Sequence, residues 1–301
     1  MSRAVLVTGA TGSQGGAVVS ALASASSDLT ILAVTRNPDS PSAQKLLSQS
    51  ANIKLVKGDF SDVPAMFTAA KAIHPNIWGV YSVQTVSDTT TEVTQGKAMI
   101  DSALAHNVKQ FVYSSVERGG DGSASYDNET DIPHFMTKYT IEHHLVDSAK
   151  GTDMLYAILR PVAFMDNFKQ GFGTKVFVAA LKTVMPVDKK LQWVDVRDIG
   201  YFAAQALLHP EQWRDRSISI AGDDLTVDEL DKVFRNVAGV PLPSTFSPLG
   251  YALRAFVYDF RKMLNFMAEA SFGADIAALK KEHPGLRSFG DWIRDNKALF
   301  V

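Results

Sequence analysis

The stretch that decides the fold is Val5-Leu-Val-Thr-Gly9-Ala-Thr-Gly12-Ser-Gln-Gly15-Gly16. An apolar run leads into glycines with the spacing G-x-x-G-x-x-G, and an amphipathic helical pattern follows. Glycines let the backbone approach a pyrophosphate, while free N–H groups and the helix dipole offset its charge. The sequence therefore predicts a dinucleotide site. The loop residues expected to bind the cofactor are Gly9, Thr11, Gly12, Ser13, Gln14 and Gly15.

The end of the next predicted strand indicates which dinucleotide is bound. Residues 29–35 are apolar and β-branched, and they are followed by Arg36 and Asn37. Folds selective for NAD place a carboxylate here, on the adenine ribose hydroxyls. This chain has none, and a guanidinium can hold a 2′-phosphate with a charge-assisted fork. Arg36 and Asn37 therefore predict NADP(H), although Arg36 could also be an ordinary surface residue.

Composition excludes several classes of protein. The chain has 301 residues, of which 46% are hydrophobic. Its net charge of −2 argues against a protein that binds nucleic acid or a membrane surface through a basic patch. It has no cysteine, which excludes disulfides and thiolate sites. We predict no metal site and no membrane span. Because a strand begins by residue 4, no room is left for a signal peptide. The expected location is the cytoplasm, with the nucleus as an additional location.

Strand and helix patterns alternate along the first half of the chain. Strands are predicted at 53–57, 78–83, 110–115 and 154–159, and helices at 92–106 and 134–148. Such alternation predicts an α/β fold, a Rossmann-type doubly wound parallel sheet. We predict a dinucleotide-binding domain at 1–161, with segments near 192–222 returning to its sheet. Residues 162–301 are predicted to form a smaller, mostly helical C-terminal lobe for a substrate or partner.

Further motifs follow in a recognisable order. They are Lys57-Gly58-Asp59, Tyr113-Ser114-Ser115, Leu159-Arg160-Pro161, Phe164-Met165-Asp166-Asn167-Phe168 and Phe289-Gly-Asp-Trp-Ile293. Together with the glycine loop they resemble the extended short-chain dehydrogenase/reductase superfamily. More narrowly, the chain is similar to the NmrA-like branch of its atypical members, which includes fungal regulators and a human NADPH-sensing homologue.

The resemblance implies places for six further residues. It puts Asp59 and Phe60 beside the adenine. It puts Val83 and Gln84 near the cofactor riboses and nicotinamide. It puts Pro161 and Phe164 at the nicotinamide end. For Asp59 a turn-forming role is the alternative, and for Phe164 it is core packing.

The catalytic pair of the superfamily is altered here. Active members use Tyr-x-x-x-Lys on the helix after the fifth strand, where the spacing places both side chains on one face. The resemblance assigns the lysine to Lys138, as a cofactor-binding and catalytic residue, but His134 stands where the tyrosine would be. His134 is either a replacement acid or base or a helix-start residue without chemistry. Ser114 and Ser115 are candidates for the substrate-orienting serine.

Two functions follow from these residues. The first is an NADP(H)-binding redox sensor or regulator that acts through a protein partner, because the cofactor residues are present and the tyrosine is not. The second is an NADPH-dependent reductase or isomerase of a small apolar metabolite, with His134 or Tyr126 as the acid. An aromatic-rich region at 246–272 serves as small-lobe packing in one interpretation and as a lid or docking groove in the other.

Overall fold

The computed structural model describes residues 3–26, 28–84, 88–120, 124–169, 171–246, 248, 250–251, 257–270 and 272–300. The chain divides into two compact units. The first contains Met1–Val116, Thr137–Arg160 and Ile199–Ile218. The second contains Glu117–Met136, Pro161–Asp198 and Ser219–Val301. Residues 117–136 thus belong to the second unit, although they precede position 161.

A seven-stranded sheet is built from apolar, β-branched segments. Its strands are β1 (Arg3–Val7), β2 (Leu29–Thr35), β3 (Ile53–Lys57), β4 (Ile77–Ser82), β5 (Gln110–Ser114), β6 (Leu155–Pro161) and β9 (Arg216–Ile220). Their order is β3-β2-β1-β4-β5-β6-β9. The pairings from β3 through to β6 are parallel. Strand order reverses between β1 and β4, which creates the crevice where ligands bind in folds of this kind. The predicted Rossmann-type fold is confirmed.

Twelve α-helices connect or follow the strands in the described part of the chain. They are α1 (Ser13–Ala25), α2 (Pro41–Leu47), α3 (Val63–Ile73), α4 (Thr89–Ala105), α5 (Ala124–Asp127), α6 (Pro133–Ala149), α7 (Phe172–Val184), α8 (Val196–Leu208), α9 (Val227–Ala238), α10 (Tyr258–Glu269), α11 (Ile276–Glu282) and α12 (Phe289–Asp295). Local sequence sets several of the starts. Asp62 caps α3 by accepting from Ala65 N at 2.9 Å, and Asp88 caps α4 by accepting from Thr91 N at 2.9 Å.

The first unit buries the central part of its sheet. Residues 4–7 of β1 have no exposed surface, and neither have Phe111 and Tyr113 of β5. This explains why these strands read as unbroken apolar runs. Helix α8 approaches α1 closely, since a Cβ on Gly200 would lie 2.6 Å from the Ala17 carbonyl oxygen. Glycine at 200 is therefore required by packing, and it seats α8 beside the helix that follows the glycine loop.

The second unit has its own small sheet. Strand β8 (Leu191–Val194) pairs in parallel with β7 (Ala163–Phe164) and antiparallel with β10 (Asp223–Leu225). The prediction that the segment from 192 returns to the main sheet is therefore wrong, whereas 216–220 does enter it as β9. The segment joins the small sheet because Trp193 packs into the aromatic core of the second unit, where it is 1% exposed. Its ring centroid lies 5.1 Å from that of Phe168 and 5.6 Å from that of Phe289.

The aromatic-rich region divides into packed and exposed residues. Phe260, Phe266 and Phe272 pack against the core of the second unit. Phe246, Tyr251 and Tyr258 are exposed. Leu253 and Phe256, which also contribute to the helical pattern of this region, lie outside the described residues. Among the described helices, none is long and apolar enough to cross a membrane.

Candidate functional site

The glycine loop between β1 and α1 leaves no space for a side chain at Gly15. Gly9 has φ +60°, in the left-handed region that favours glycine. A Cβ on Gly15 would lie 2.3 Å from the Gly9 carbonyl oxygen. Gly12 is the N-cap of α1, gives it no side-chain cap, and is followed by a first turn without an acidic residue. The helix therefore presents its N-terminal N–H groups and dipole uncompensated, which suits an anion.

A cavity of about 560 Å³ opens in front of this loop. Its described lining is Thr8, Gly9, Thr11, Gly12, Val34, Thr35, Arg36, Gly58, Asp59, Phe60, Ser61, Met66 and Gln95, all in the first unit. The volume falls in the range of small-molecule sites. Six residues predicted from the sequence, Gly9, Thr11, Gly12, Arg36, Asp59 and Phe60, meet here. Ser61, Met66 and Gln95 were missed because they lie outside the motifs, and Thr8 was missed although it belongs to the glycine motif.

Charges at the far end of the cavity come from β2 and β3. Arg36 is exposed directly after β2, and Asp59 is exposed two residues after β3. Hydrogen bonds from the hydroxyl and backbone N–H of Ser61 lower the pKa of Asp59, and Arg36 adds a smaller effect. Asp59 is thus an ionised turn residue as well as a wall of the cavity. Asn37 is not part of the described lining, and its Oδ1 accepts from Asp39 N at 3.0 Å.

The end of β4 is fastened to the end of β1. Val83 N donates to Thr8 Oγ1 at 2.9 Å, and Thr8 Oγ1 donates to Val83 O at 3.1 Å. Gln84 is 5% exposed and its Nε2 donates to Ser82 Oγ at 2.8 Å. Its Oε1 is buried and accepts no hydrogen bond within the described residues. A buried amide oxygen at the crevice without a donor is a group that a ligand could satisfy.

The glycine loop is also tied to β5. Ser114 is 1% exposed, and its Oγ donates to Oε1 of Gln14 at 2.7 Å. Ser115 is buried, and its backbone N–H donates to Leu159 O at 2.8 Å. Ser114 therefore faces the predicted phosphate loop. Sequence reasoning left open which of the two serines faces the nicotinamide.

Lys138 on α6 forms a buried ion pair with Glu92 on α4. The Nζ–Oε1 distance is 2.6 Å, and the two residues are 7% and 0% exposed. The ammonium also lies 5.7 Å from the centroid of the Tyr113 ring, near the end of β5. Glu92 was predicted only as a helix residue. No local sequence pattern indicates that the Glu92 side chain pairs with a lysine 46 positions later.

His134 begins α6 but belongs to the second unit. Its Nδ1 lies 2.8 Å and 2.9 Å from the two carboxylate oxygens of Asp259 on α10. Pro161 and Phe164 are also in the second unit, at the end of β6 and in β7. None of the three belongs to the described lining of the cavity. Tyr126 lies on α5 and is half-buried.

Acidic and basic clusters elsewhere have structural partners. Glu142 accepts from Arg160 at 2.9 Å, and both side chains are buried. Asp195 is 1% exposed and accepts from Arg197 at 2.8 Å and from Arg287 at 2.7 Å. Across the described residues, no group of three His, Cys, Asp or Glu side chains could hold a metal ion.

Sequence comparison decides the family of this chain. A sequence model described as the NmrA-like family matches residues 1–285. The chain belongs to the NmrA-like family. Among relatives of this NmrA-like protein, the "NmrA-like family domain-containing oxidoreductase lnbB" of Aspergillus flavus is 28% identical over 273 residues. That match covers 80% of this chain and 77% of lnbB.

Solved structures share the fold of this NmrA-like protein. The negative transcriptional regulator NmrA, solved with NAD, gives a TM-score of 0.72 at 15% identity over 99% of this chain and 95% of its own. NmrA has also been solved with NADP. The triphenylmethane reductase of Citrobacter sp., solved with NADP(H), gives 0.71 at 20% identity over 98% and 99%. At these identities the likeness concerns the fold alone.

Proposed function

We propose that this NmrA-like protein binds NADP(H) and acts as a redox sensor or regulator through a protein partner. The single observation that supports cofactor binding is the geometry of the glycine loop. A Cβ at Gly15 would collide with the Gly9 carbonyl, so α1 is seated against a loop that leaves its N-terminus open to phosphate.

The residues that line the cavity suit the pyrophosphate and adenosine part of a dinucleotide. The 560 Å³ cavity extends from the loop to Arg36 and Asp59. In the proposed pose the pyrophosphate lies on Gly12 to Gln14, and the adenosine lies between Asp59 and Phe60. The bound cofactor supplies hydride chemistry, while Gln84 and Lys138 hold its nicotinamide half. Two solved NmrA-fold proteins bind such cofactors, which supports the proposal.

Arg36 supports NADP(H) over NAD(H). It is the cationic side chain in the described lining, and no carboxylate occupies the position directly after β2. A guanidinium forms charge-assisted hydrogen bonds with a 2′-phosphate, whereas a carboxylate there would repel it. NmrA itself has been solved with both dinucleotides, so the choice in this chain depends on its own residues.

Regulation rather than turnover is favoured by the groups around the altered catalytic pair. Ser114 donates its hydrogen bond to Gln14, and the ammonium of Lys138 is paired with Glu92. No tyrosine stands four residues before Lys138. A positioned acid or base contributes about 10²–10⁴-fold to a rate, so its loss would make carbonyl reduction slow while cofactor affinity stays intact.

One observation favours the second candidate, an NADPH-dependent reductase or isomerase of a small apolar metabolite. The Asp259 carboxylate holds Nδ1 of His134 at 2.8 Å and 2.9 Å, and such a contact orients an imidazole as an acid or base would need. The name of lnbB as an oxidoreductase supports the same candidate.

Calorimetric titration with NADPH, NADP⁺ and NADH tests the cofactor assignment. We expect Arg36→Ala to weaken NADPH binding about ten- to a hundredfold and to leave NADH binding within about twofold. Lys54→Ala is the matched control, since it removes an exposed cation from β3 outside the cavity lining. Equal losses for NADPH and NADH, or the same loss in the control, would refute the role of Arg36. A wild-type protein that bound none of the three would refute the function itself.

Hydrogen exchange and a turnover screen separate the two candidates. A regulator is expected to change amide protection in the second unit, including residues 124–136, when NADP⁺ replaces NADPH, without consuming cofactor. A reductase is expected to oxidise NADPH in the presence of an apolar carbonyl or imine, and to lose about 10²-fold or more in rate in His134→Ala. Turnover of that kind with unchanged exchange would replace the first candidate by the second.

A further inference from the structure

The charge of Lys138 is cancelled inside the first unit. Glu92 has no exposed surface, Lys138 is 7% exposed, and their charged atoms are 2.6 Å apart. Two buried opposite charges at this distance present a net charge of zero to their surroundings. An isolated buried ammonium would instead carry a strong positive potential in a medium that screens poorly.

The ammonium keeps donors available despite this pairing. A lysine has three N–H donors, and the ion pair with Glu92 engages at most one of them. Within the described part of the chain, no further hydrogen-bond acceptor is recorded for Lys138. The ammonium also lies 5.7 Å from the centroid of the Tyr113 ring. Lys138 can therefore hold a neutral hydroxyl pair, such as a ribose diol, without adding charge to the site.

We propose that Glu92 is a positioning residue for Lys138 and that the neutral pair lets the site accept the positively charged oxidised nicotinamide. The inference rests on the proposed function, in which Lys138 holds the nicotinamide ribose. Oxidised cofactor carries a positive ring and reduced cofactor a neutral one. An uncompensated ammonium beside the ring would therefore select against NADP⁺, and an uncompensated carboxylate would select for it.

The two single variants should act in opposite directions on the ratio of affinities for NADP⁺ and NADPH. Glu92→Gln leaves the ammonium alone and is expected to lower the ratio about tenfold. Lys138→Gln leaves the carboxylate alone and is expected to raise the ratio, even though both affinities fall. The double variant carries two neutral amides and should return the ratio to within about twofold of wild type.

Glu142→Gln is the matched control. It also breaks a fully buried ion pair on α6, with Arg160, but this pair is not in the proposed site. It should lower stability while leaving the ratio unchanged. Calorimetry with NADP⁺ and NADPH gives the ratio, and thermal unfolding reports folding of each variant. If Glu92→Gln does not fold, the other two variants still test the inference. Lys138→Gln shows whether the affinity ratio rises, and the double variant shows whether it returns to the wild-type value.

Three results would overturn the inference. They are an unchanged ratio in the single variants, a shift of the same sign in both, or a double variant that keeps the shift of either parent. Each leaves the proposed function standing provided that the wild-type protein binds the cofactor. Failure of the wild-type protein to bind either form would instead refute the proposed function.

Discussion

Oγ of Ser114 donates a 2.7 Å hydrogen bond to Oε1 of Gln14, which joins the end of β5 to the first turn of α1. The two residues are 100 positions apart in the chain and lie on either side of the crevice created by the strand order. The bond orients the side chain of one residue of the glycine loop and engages the Ser114 hydroxyl.

Removal of this bond should affect cofactor affinity moderately. Ser114→Ala is expected to weaken NADPH binding about three- to tenfold, because Gln14 loses its anchor and a net hydrogen bond contributes about 1 kcal/mol. Gln14→Ala should have a similar effect, and the double variant should lose no more than either single variant. Calorimetry measures all three. Additive losses would mean that the two side chains act independently.

A methyl group at position 15 should be far more damaging. In Gly15→Ala the new Cβ would lie 2.3 Å from the Gly9 carbonyl oxygen, so α1 must move away from the loop. We expect a loss of about 3 kcal/mol or more in the free energy of unfolding, together with loss of cofactor binding. Denaturant unfolding and calorimetry give the two quantities.

Gly173→Ala is the control for that substitution. Gly173 lies in α7, and a Cβ there meets no atom within 4 Å. The change should stabilise the protein by about 0.5–1 kcal/mol, because alanine favours a helix over glycine. If Gly15→Ala were tolerated equally well, close contact between α1 and the loop would not be a requirement of the fold.

Asp198 should make stability depend on pH. Burial raises its pKa to about 7, and a carboxyl of the unfolded chain titrates near 3.8. Between these values the folded state holds the extra proton, so the free energy of unfolding falls as pH rises from about 4 to 7. Asp195 opposes ionisation of Asp198, while Arg287 and Arg197 favour it.

His283 acts in the opposite direction on the same pH range. Its Nε2 lies 3.3 Å from Asp198 Oδ1, and burial lowers its pKa, so its contribution to stability is lost as pH falls. Asp198→Asn should therefore convert a flat or falling stability profile between pH 5 and 8 into a rising one. Urea unfolding across this range provides the test, and an unchanged profile would contradict the assignment.

Breaking the buried ion pair of Glu142 and Arg160 should lower the free energy of unfolding strongly, whereas replacing both residues should lower it little. Glu142→Gln leaves a buried guanidinium without its counter-charge, and we expect a loss of about 3–5 kcal/mol in the free energy of unfolding. Replacing both residues, as Glu142→Leu with Arg160→Met, should recover most of it. Denaturant unfolding distinguishes the two. A double variant as unstable as the single one would show that the pair has no apolar substitute.

The sequence by itself determined most of the strands of the first unit. The glycine spacing and the alternation of short apolar runs with helical segments predicted strands that the structure places within one or two residues, as for β2 and β3. These signals are local, because burial of a parallel sheet on both faces enforces apolar runs and a sharp turn at Gly9 enforces glycine. Arg36 was predicted because it follows a strand whose end was recognisable, and Asp59 because of the family resemblance; both line the cavity.

Only the tertiary structure decided which side chains face each other. Glu92 with Lys138, Gln14 with Ser114, and His134 with Asp259 are separated by 46, 100 and 125 positions. Periodicity gives the face of a helix that is buried, not the charge that it meets there. Strand β8 was misplaced for the same reason, since its apolar pattern suits either sheet. The aromatic core around Trp193 determines which sheet β8 joins, because the Trp193 ring is buried there against Phe168 and Phe289.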